Sequence, residues 1–165
     1  MTQRVCNMLT VDKEFIRYEA PPVSSTGTVR QAPSFVTPLS DVKIIGCAPR
    51  VIIDDESDFL VLVSSNGQIN YFNLDVVGTA APLLLEEHFG YCIREQVPEY
   101  SFEETNWNTF ILYPPALFGQ TLFRKWSWFT PRGFLKNLGK HVAMDNPMWE
   151  QLTDEASAYL LTVKK

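Results

Sequence analysis

Residues 59–74, FLVLVSSNGQINYFNL, decide the fold. Two runs rich in β-branched and aromatic residues flank Asn66-Gly67, a dipeptide that accepts positive φ at both central positions of a type I′ turn, so the stretch reads as an antiparallel hairpin. A two-residue loop sets the register. Val63 then opposes Asn70, Val61 opposes Phe72 and Phe59 opposes Leu74 on one side, while Leu62 opposes Tyr71 and Leu60 opposes Asn73 on the other. The run 59–63 is apolar at every position and is expected at the centre of a sheet, covered on both faces. The run 69–74 alternates more and belongs nearer an edge.

Working outward from the hairpin, VKIIGC and RVIIDD just upstream are two further short strands separated by turn chemistry. Before them, residues 20–40 hold Pro21, Pro22, Pro33, Pro38, Gly27 and a Ser/Thr cluster, which break every periodic pattern and read as an extended arm. Residues 10–19 fit either a short helix capped by Thr10 or a reading in which VCNML and FIRY are strands. Downstream, spacing at Leu84, Leu85, His88 and Cys92 predicts a helix near 83–95, with Gly90 as its weak point. Phe110–Tyr113 ends against Pro114-Pro115 and is expected as a strand over 109–113. Thr130-Pro131 opens a helix over 131–138, and Asn146-Pro147 opens another through 163, unless Thr153-Asp154-Glu155 begins it afresh. The class implied is α+β: a small antiparallel sheet of about four or five strands built on the Asn66-Gly67 hairpin, covered by two or three helices. An N-terminal segment and arm over 1–41 precede one domain over 42–165.

With 165 residues, 45% of them hydrophobic and 20% charged, the composition is that of a globular chain. A chain of this length buries roughly 70% of the surface its unfolded form exposes, enough for a core without staples. Cys6, Cys47 and Cys92 are an odd number without CxxC spacing, which argues against a secreted disulfide framework and a zinc ribbon. No secretory leader, transmembrane run or N-x-[ST] acceptor is visible. These features predict a cytoplasmic, reducing location, or a place within an assembled particle.

Charge is unevenly spread. Residues 1–104, 105–144 and 145–165 carry formal charges of -8, +5 and -2. The middle stretch has no acidic residue, yet Arg124, Lys125, Arg132, Lys136 and Lys140 stand among Trp107, Phe123, Trp126, Trp128, Phe129 and Phe134. Within the expected helix 131–138, Arg132, Lys136 and Lys140 follow one stripe at i, i+4, i+8. Large rings and Arg dominate interface hot spots, and a basic patch steers an acidic partner. The candidate partner-binding residues are Phe123, Arg124, Lys125, Trp126, Trp128, Phe129, Arg132, Lys136 and Lys140. The plainer alternative is that the rings pack inside and the cations complement helix ends.

Other constellations carry less. His88 and Cys92 would share a face of a helix, as a thiolate–imidazole pair or half a metal site, but two ligands do not make a zinc site and a packed His beside a buried Cys is commoner. Asp54, Asp55, Glu56 and Asp58 crowd an expected loop without the spacing of a calcium-binding loop. There is no G-x-S-x-G, HExxH, phosphate-binding or dinucleotide motif, so neither a metal nor any other cofactor is expected. A lipid-surface role for 117–138 is weakened by Pro131 and Gly133.

The leading expectation is a non-enzymatic protein-binding or assembly protein, such as the accessory or virion components that viruses and phages encode, docking a protein partner or its own copies through the aromatic-basic surface within 105–144. The second is a single-stranded nucleic-acid-binding module using the same surface, with rings for bases and cations for phosphates. Its acidic pI of about 5.0 argues against that. The third is a Cys/His-dependent enzyme using His88 and Cys92.

Overall fold

The computed structural model describes residues 8–20, 33–52, 55–77, 80–93, 109–124, 129, 131, 135 and 151–163. Two antiparallel sheets form. The smaller joins β1 (Leu9–Val11), β2 (Phe15–Tyr18) and β3 (Phe35–Pro38) in that order. The larger contains β4 (Val42–Ile52), β5 (Asp55–Ser64), β6 (Ile69–Asn73) and β7 (Phe110–Tyr113), in the order β6-β5-β4-β7. A 3-10 turn at Leu39–Asp41 carries the chain from one sheet to the other.

The hairpin forms where the Asn-Gly pair marks it, but with a different register. Observed partners are Val63 with Ile69, Leu62 with Asn70, Val61 with Tyr71, Leu60 with Phe72 and Phe59 with Asn73. The loop therefore has three residues, Ser65, Asn66 and Gly67. The Gly67 N–H donates to the Ser64 carbonyl at 2.8 Å, Gly67 sits at φ 85°, and the Ser64 N–H donates across to Gln68 at 2.9 Å. Asn66 adds its side-chain oxygen, which accepts the Gln68 N–H at 2.8 Å. A type I turn followed by a left-handed glycine is the usual three-residue hairpin, and Asn-Gly serves it as well as the two-residue form. The one-residue difference matters because directly opposed residues share a face: Phe72 joins Leu60 and Leu62 instead of Val61.

That face receives the smaller sheet. Along β2 and β3 the alternation places Ile16, Tyr18, Phe35 and Thr37 inward, while Arg17 and Val36 point out. Tyr18 and Phe35 meet Phe72 with ring centroids 6.0 and 6.4 Å apart. Beside them the Asn70 amide donates to the Thr37 hydroxyl at 2.8 Å, both groups buried. Strand β5 is central as expected: Leu60 to Val63 are 0% exposed and Phe59 only 4%. Strand β6 is an edge, also as expected.

Two expected strands are one. VKIIGC and RVIIDD merge into β4, which pairs with β5 continuously from Ile44↔Val63 to Ile52↔Asp55. Among the described residues β7 pairs with β4 only at Ile45, Gly46 and Cys47, so no described strand flanks Pro49 on that side and its missing N–H is tolerated. Asp55, Glu56 and Asp58 accordingly belong to β5 and not to a loop. In the ambiguous 10–19 stretch FIRY is the strand β2, as one reading had it, whereas β1 covers Leu9–Val11 and most of VCNML lies outside the described residues. The link between β1 and β2 is an Asx turn, in which Asp12 accepts the N–H groups of Glu14 and Phe15 at 2.8 and 2.7 Å and pairs with the Arg17 guanidinium.

The expected class, a single sheet covered by two or three helices and preceded by an extended arm, is overturned. Sheet dominates, and the covering layer over Phe72 is a second sheet made from residues that had read as N-terminal segment and arm. The sequence pattern misled because proline and Ser/Thr density masked a four-residue edge strand ending at Pro38, a position where proline is permitted. Residues 21–32 of that stretch lie outside the described residues. The helices described in full are one turn, α1 (Leu74–Val77), then α2 (Ala80–Phe89), which lies against β1, and α3 (Asp154–Val163) against β4. Helix α2 stops short of the expected 83–95 because Gly90, at φ 61°, terminates it, its N–H donating to Glu86 at 2.8 Å. Helix α3 begins at the later of the two expected starts. Thr153 caps it, its hydroxyl accepting the Ala156 N–H at 3.3 Å, with Asp154 and Glu155 in the first turn.

Candidate partner-binding segment

The aromatic-basic stretch grows out of the β7 edge. The chain turns through Pro115–Leu117 and Gly119, at φ 76°, and comes back alongside β7. The Ile111 N–H donates to Gln120 at 2.8 Å, the Gly119 N–H to Ile111 at 2.9 Å and the Leu122 N–H to Thr109 at 2.8 Å. Leu122 then packs over Gly46, where an added Cβ would lie 3.2 Å from its side chain and 3.0 Å from the Phe110 carbonyl. The returning segment is paired in turn with residues just before α3. Phe123 bridges Leu152, the Arg124 N–H donates to Gln151 at 2.8 Å, and the Thr153 N–H donates to Leu122 at 3.0 Å.

This arrangement sorts the candidate residues. Phe123 is 3% exposed and belongs to the core, which is not what the expected partner-binding surface requires of it. Arg124 is exposed and its guanidinium pairs with the Asp154 carboxylate in the first turn of α3. Phe129 is 99% exposed, and Leu135 nearby in sequence is 66% exposed. Pro131 and Leu135 have helical backbone, at positions inside the expected 131–138 helix. Lys125, Trp126, Trp128, Arg132, Lys136 and Lys140 lie outside the described residues, as do Trp107 and Phe134.

His88 and Cys92 are not brought onto one helical face, since α2 ends at Phe89 and Cys92 follows the Gly90 turn. His88 instead sets its ring edge-on to Phe89, 4.9 Å between centroids. No disulfide joins Cys47 and Cys92, and no group of three or more metal-ligating side chains occurs among the described residues. No described helix is long and apolar enough to cross a membrane.

Sequence reasoning missed a half-buried aromatic cluster at the end of α2. Phe89 and Tyr91 lie 5.0 and 5.8 Å from Tyr113 on β7. Tyr159 of α3 lies close enough to Tyr113 to feel its charge, although burial is the larger reason its hydroxyl is pushed above the ordinary tyrosine value. Nothing in the spacing of 89, 91, 113 and 159 announces the cluster, because three separate elements contribute to it. Comparison with protein-family models, with curated proteins and with solved structures gives no match.

Proposed function

We propose that this chain is a non-enzymatic protein-binding or assembly component, which docks an acidic partner surface, or other copies of itself, through the part of 105–144 that follows Phe123. The observation that carries this reading is Phe129, a large ring 99% exposed inside a stretch that holds five basic residues and no acidic one. An exposed apolar side chain of this size is one that a partner's surface can cover with a gain in free energy, and the basic residues of the same stretch would add steering and register. Leu135, 66% exposed, extends the apolar content of the same stretch. An odd cysteine count supports placing the protein in a reducing compartment or inside an assembled particle.

The test is size-exclusion chromatography with light scattering, alone and with extracts of its source. A self-associated species or a stable complex is expected, and Trp126→Ala with Trp128→Ala should release it while the thermal melt is unchanged. A persistent monomer that recruits nothing would end the reading. If instead an oligothymidylate binds with an affinity that falls steeply with salt, the segment recognises single-stranded nucleic acid.

A further inference from the structure

Tyr113, the last residue of β7, is the hub of the half-buried aromatic cluster. Phe89 at the end of α2 and Tyr91 just beyond it lie 5.0 and 5.8 Å away between centroids, tilted by 46° and 56° instead of stacked. Tyr159 of α3 is within electrostatic reach of the same ring. Each of the four packs in part against the core and is in part exposed. Gly90 is what brings two of them together. Residues two apart on a helix do not face each other, so a continued α2 would hold only one of Phe89 and Tyr91 against Tyr113. Gly90 ends the helix at φ 61°, and the turn lets both rings meet the third. Charge in these elements has one sign. Lys and Arg are absent from α2, β7, Pro115–Leu117 and α3, whereas Glu86, Glu87, Asp154 and Glu155 are present. Asp154 is paired with Arg124, and Glu87 and Glu155 are exposed.

We propose that the rings of Phe89, Tyr91, Tyr113 and Tyr159 form a binding site for a small organic cation with a quaternary ammonium head. Aromatic faces carry negative potential and attract a cation within about 6 Å of their centroids. Because Phe89 and Tyr91 both stand closer than that to Tyr113, one cation on the open side of the cluster meets more than one ring at once. A quaternary head suits these partners better than a primary one. Its methyl groups pack on the rings and it needs no hydrogen-bond acceptor, whereas a lysine-type ammonium is strongly hydrated and would lose that hydration. The unpaired carboxylates of α2 and α3, with no Lys or Arg beside them in those elements, favour a cation over a neutral or anionic ligand. None of the four rings belongs to the proposed docking segment, and the inference stands without it.

The experiment titrates the full chain with choline chloride at constant ionic strength and follows backbone amide and aromatic NMR shifts. Saturable shifts are expected at Phe89, Tyr91, Tyr113 and Tyr159. The uncharged carbon isostere of choline, dimethylbutanol, has the same shape without the charge and should bind weaker by about tenfold or more. Tyr113→Phe keeps the ring and should bind as the parent does, while Tyr113→Leu and Tyr91→Leu should each lose most of the affinity, with amide shifts of β5 and β6 unchanged as the check on folding. The comparison of choline with its isostere needs no variant, so it decides even if a leucine substitution unfolds the chain. Equal affinity for the two probes would overturn the proposal, since apolar cover alone would then account for binding. Absence of saturable shifts, or choline binding that survives both leucine variants, would overturn it as well.

Discussion

Asn70 is a polar side chain in an apolar place, and its partner comes from the other sheet. Because the Asn70 amide and Thr37 hydroxyl are both buried, removing one leaves the other without its hydrogen bond. Thr37→Val should therefore cost about 1–3 kcal/mol in chemical denaturation. The double variant Thr37→Val with Asn70→Leu should recover much of that, since apolar groups of similar shape can replace both partners. Asp12 makes a different kind of contribution. The N–H groups of Glu14 and then Phe15, followed by Arg17, hold its carboxyl at about 2 against an ordinary 3.8. Its folded value lies below its unfolded one, so the turn is supported above roughly pH 4 and loses that support as pH falls towards 2. An NMR titration of the Asp12 carboxyl should show a midpoint near 2; an ordinary midpoint would mean that the turn is not formed in solution. For Tyr18 burial raises the hydroxyl above 10.0, with nearby Tyr71 adding to the effect. The neutral form is the one favoured by folding, so stability is lost as pH rises above 10, and the phenolate absorbance of the folded protein should lag behind that of the unfolded chain.

Glycines at two places in the large sheet are needed for unrelated reasons, which separates turn chemistry from packing. At Gly67 the backbone is at φ 85° and an added Cβ would meet nothing within 4 Å, so Gly67→Ala is expected to cost only backbone strain, about 1–2 kcal/mol. At Gly46 the added Cβ would press to 3.0 Å on the Phe110 carbonyl and 3.1 Å on Thr109. Gly46→Ala should accordingly loosen β7 from β4, seen as loss of amide protection along the β4–β7 pairing at 45–47 and 110–113 beyond any loss in β6. The hairpin was legible because an Asn-Gly pair between β-branched runs has few other uses. Its register was not, because two- and three-residue loops accept the same dipeptide and only the packing of Phe72 on Tyr18 and Phe35 selects between them. The start of α3 was legible in Thr153-Asp154-Glu155, one of two readings, and tertiary pairing of Gln151 and Leu152 favours it over a start at 147. For the candidate segment, composition marked the stretch. That Phe123 is core was not legible, since it shows only in a pairing with Leu152, far along the sequence.

Across the whole molecule the two sheets are expected to unfold as one cooperative unit, because Tyr18, Phe35 and Thr37 of the smaller rest on Phe72 and Asn70 of the larger. Phe72→Ala should cost about 3–5 kcal/mol and weaken amide protection in β2 and β5 together. Selective loss in β2 alone would mean that the smaller sheet is an independent appendage. The order of synthesis gives this interface a temporal side. β1, β2 and β3 leave the ribosome before β5 and β6, so Tyr18 and Phe35 meet Phe72 only once that later strand has also emerged. Until then the aromatic side of the smaller sheet lacks its Phe72 contact, and a chaperone is expected to be most useful in that interval, with slowed translation before Asn73 prolonging it.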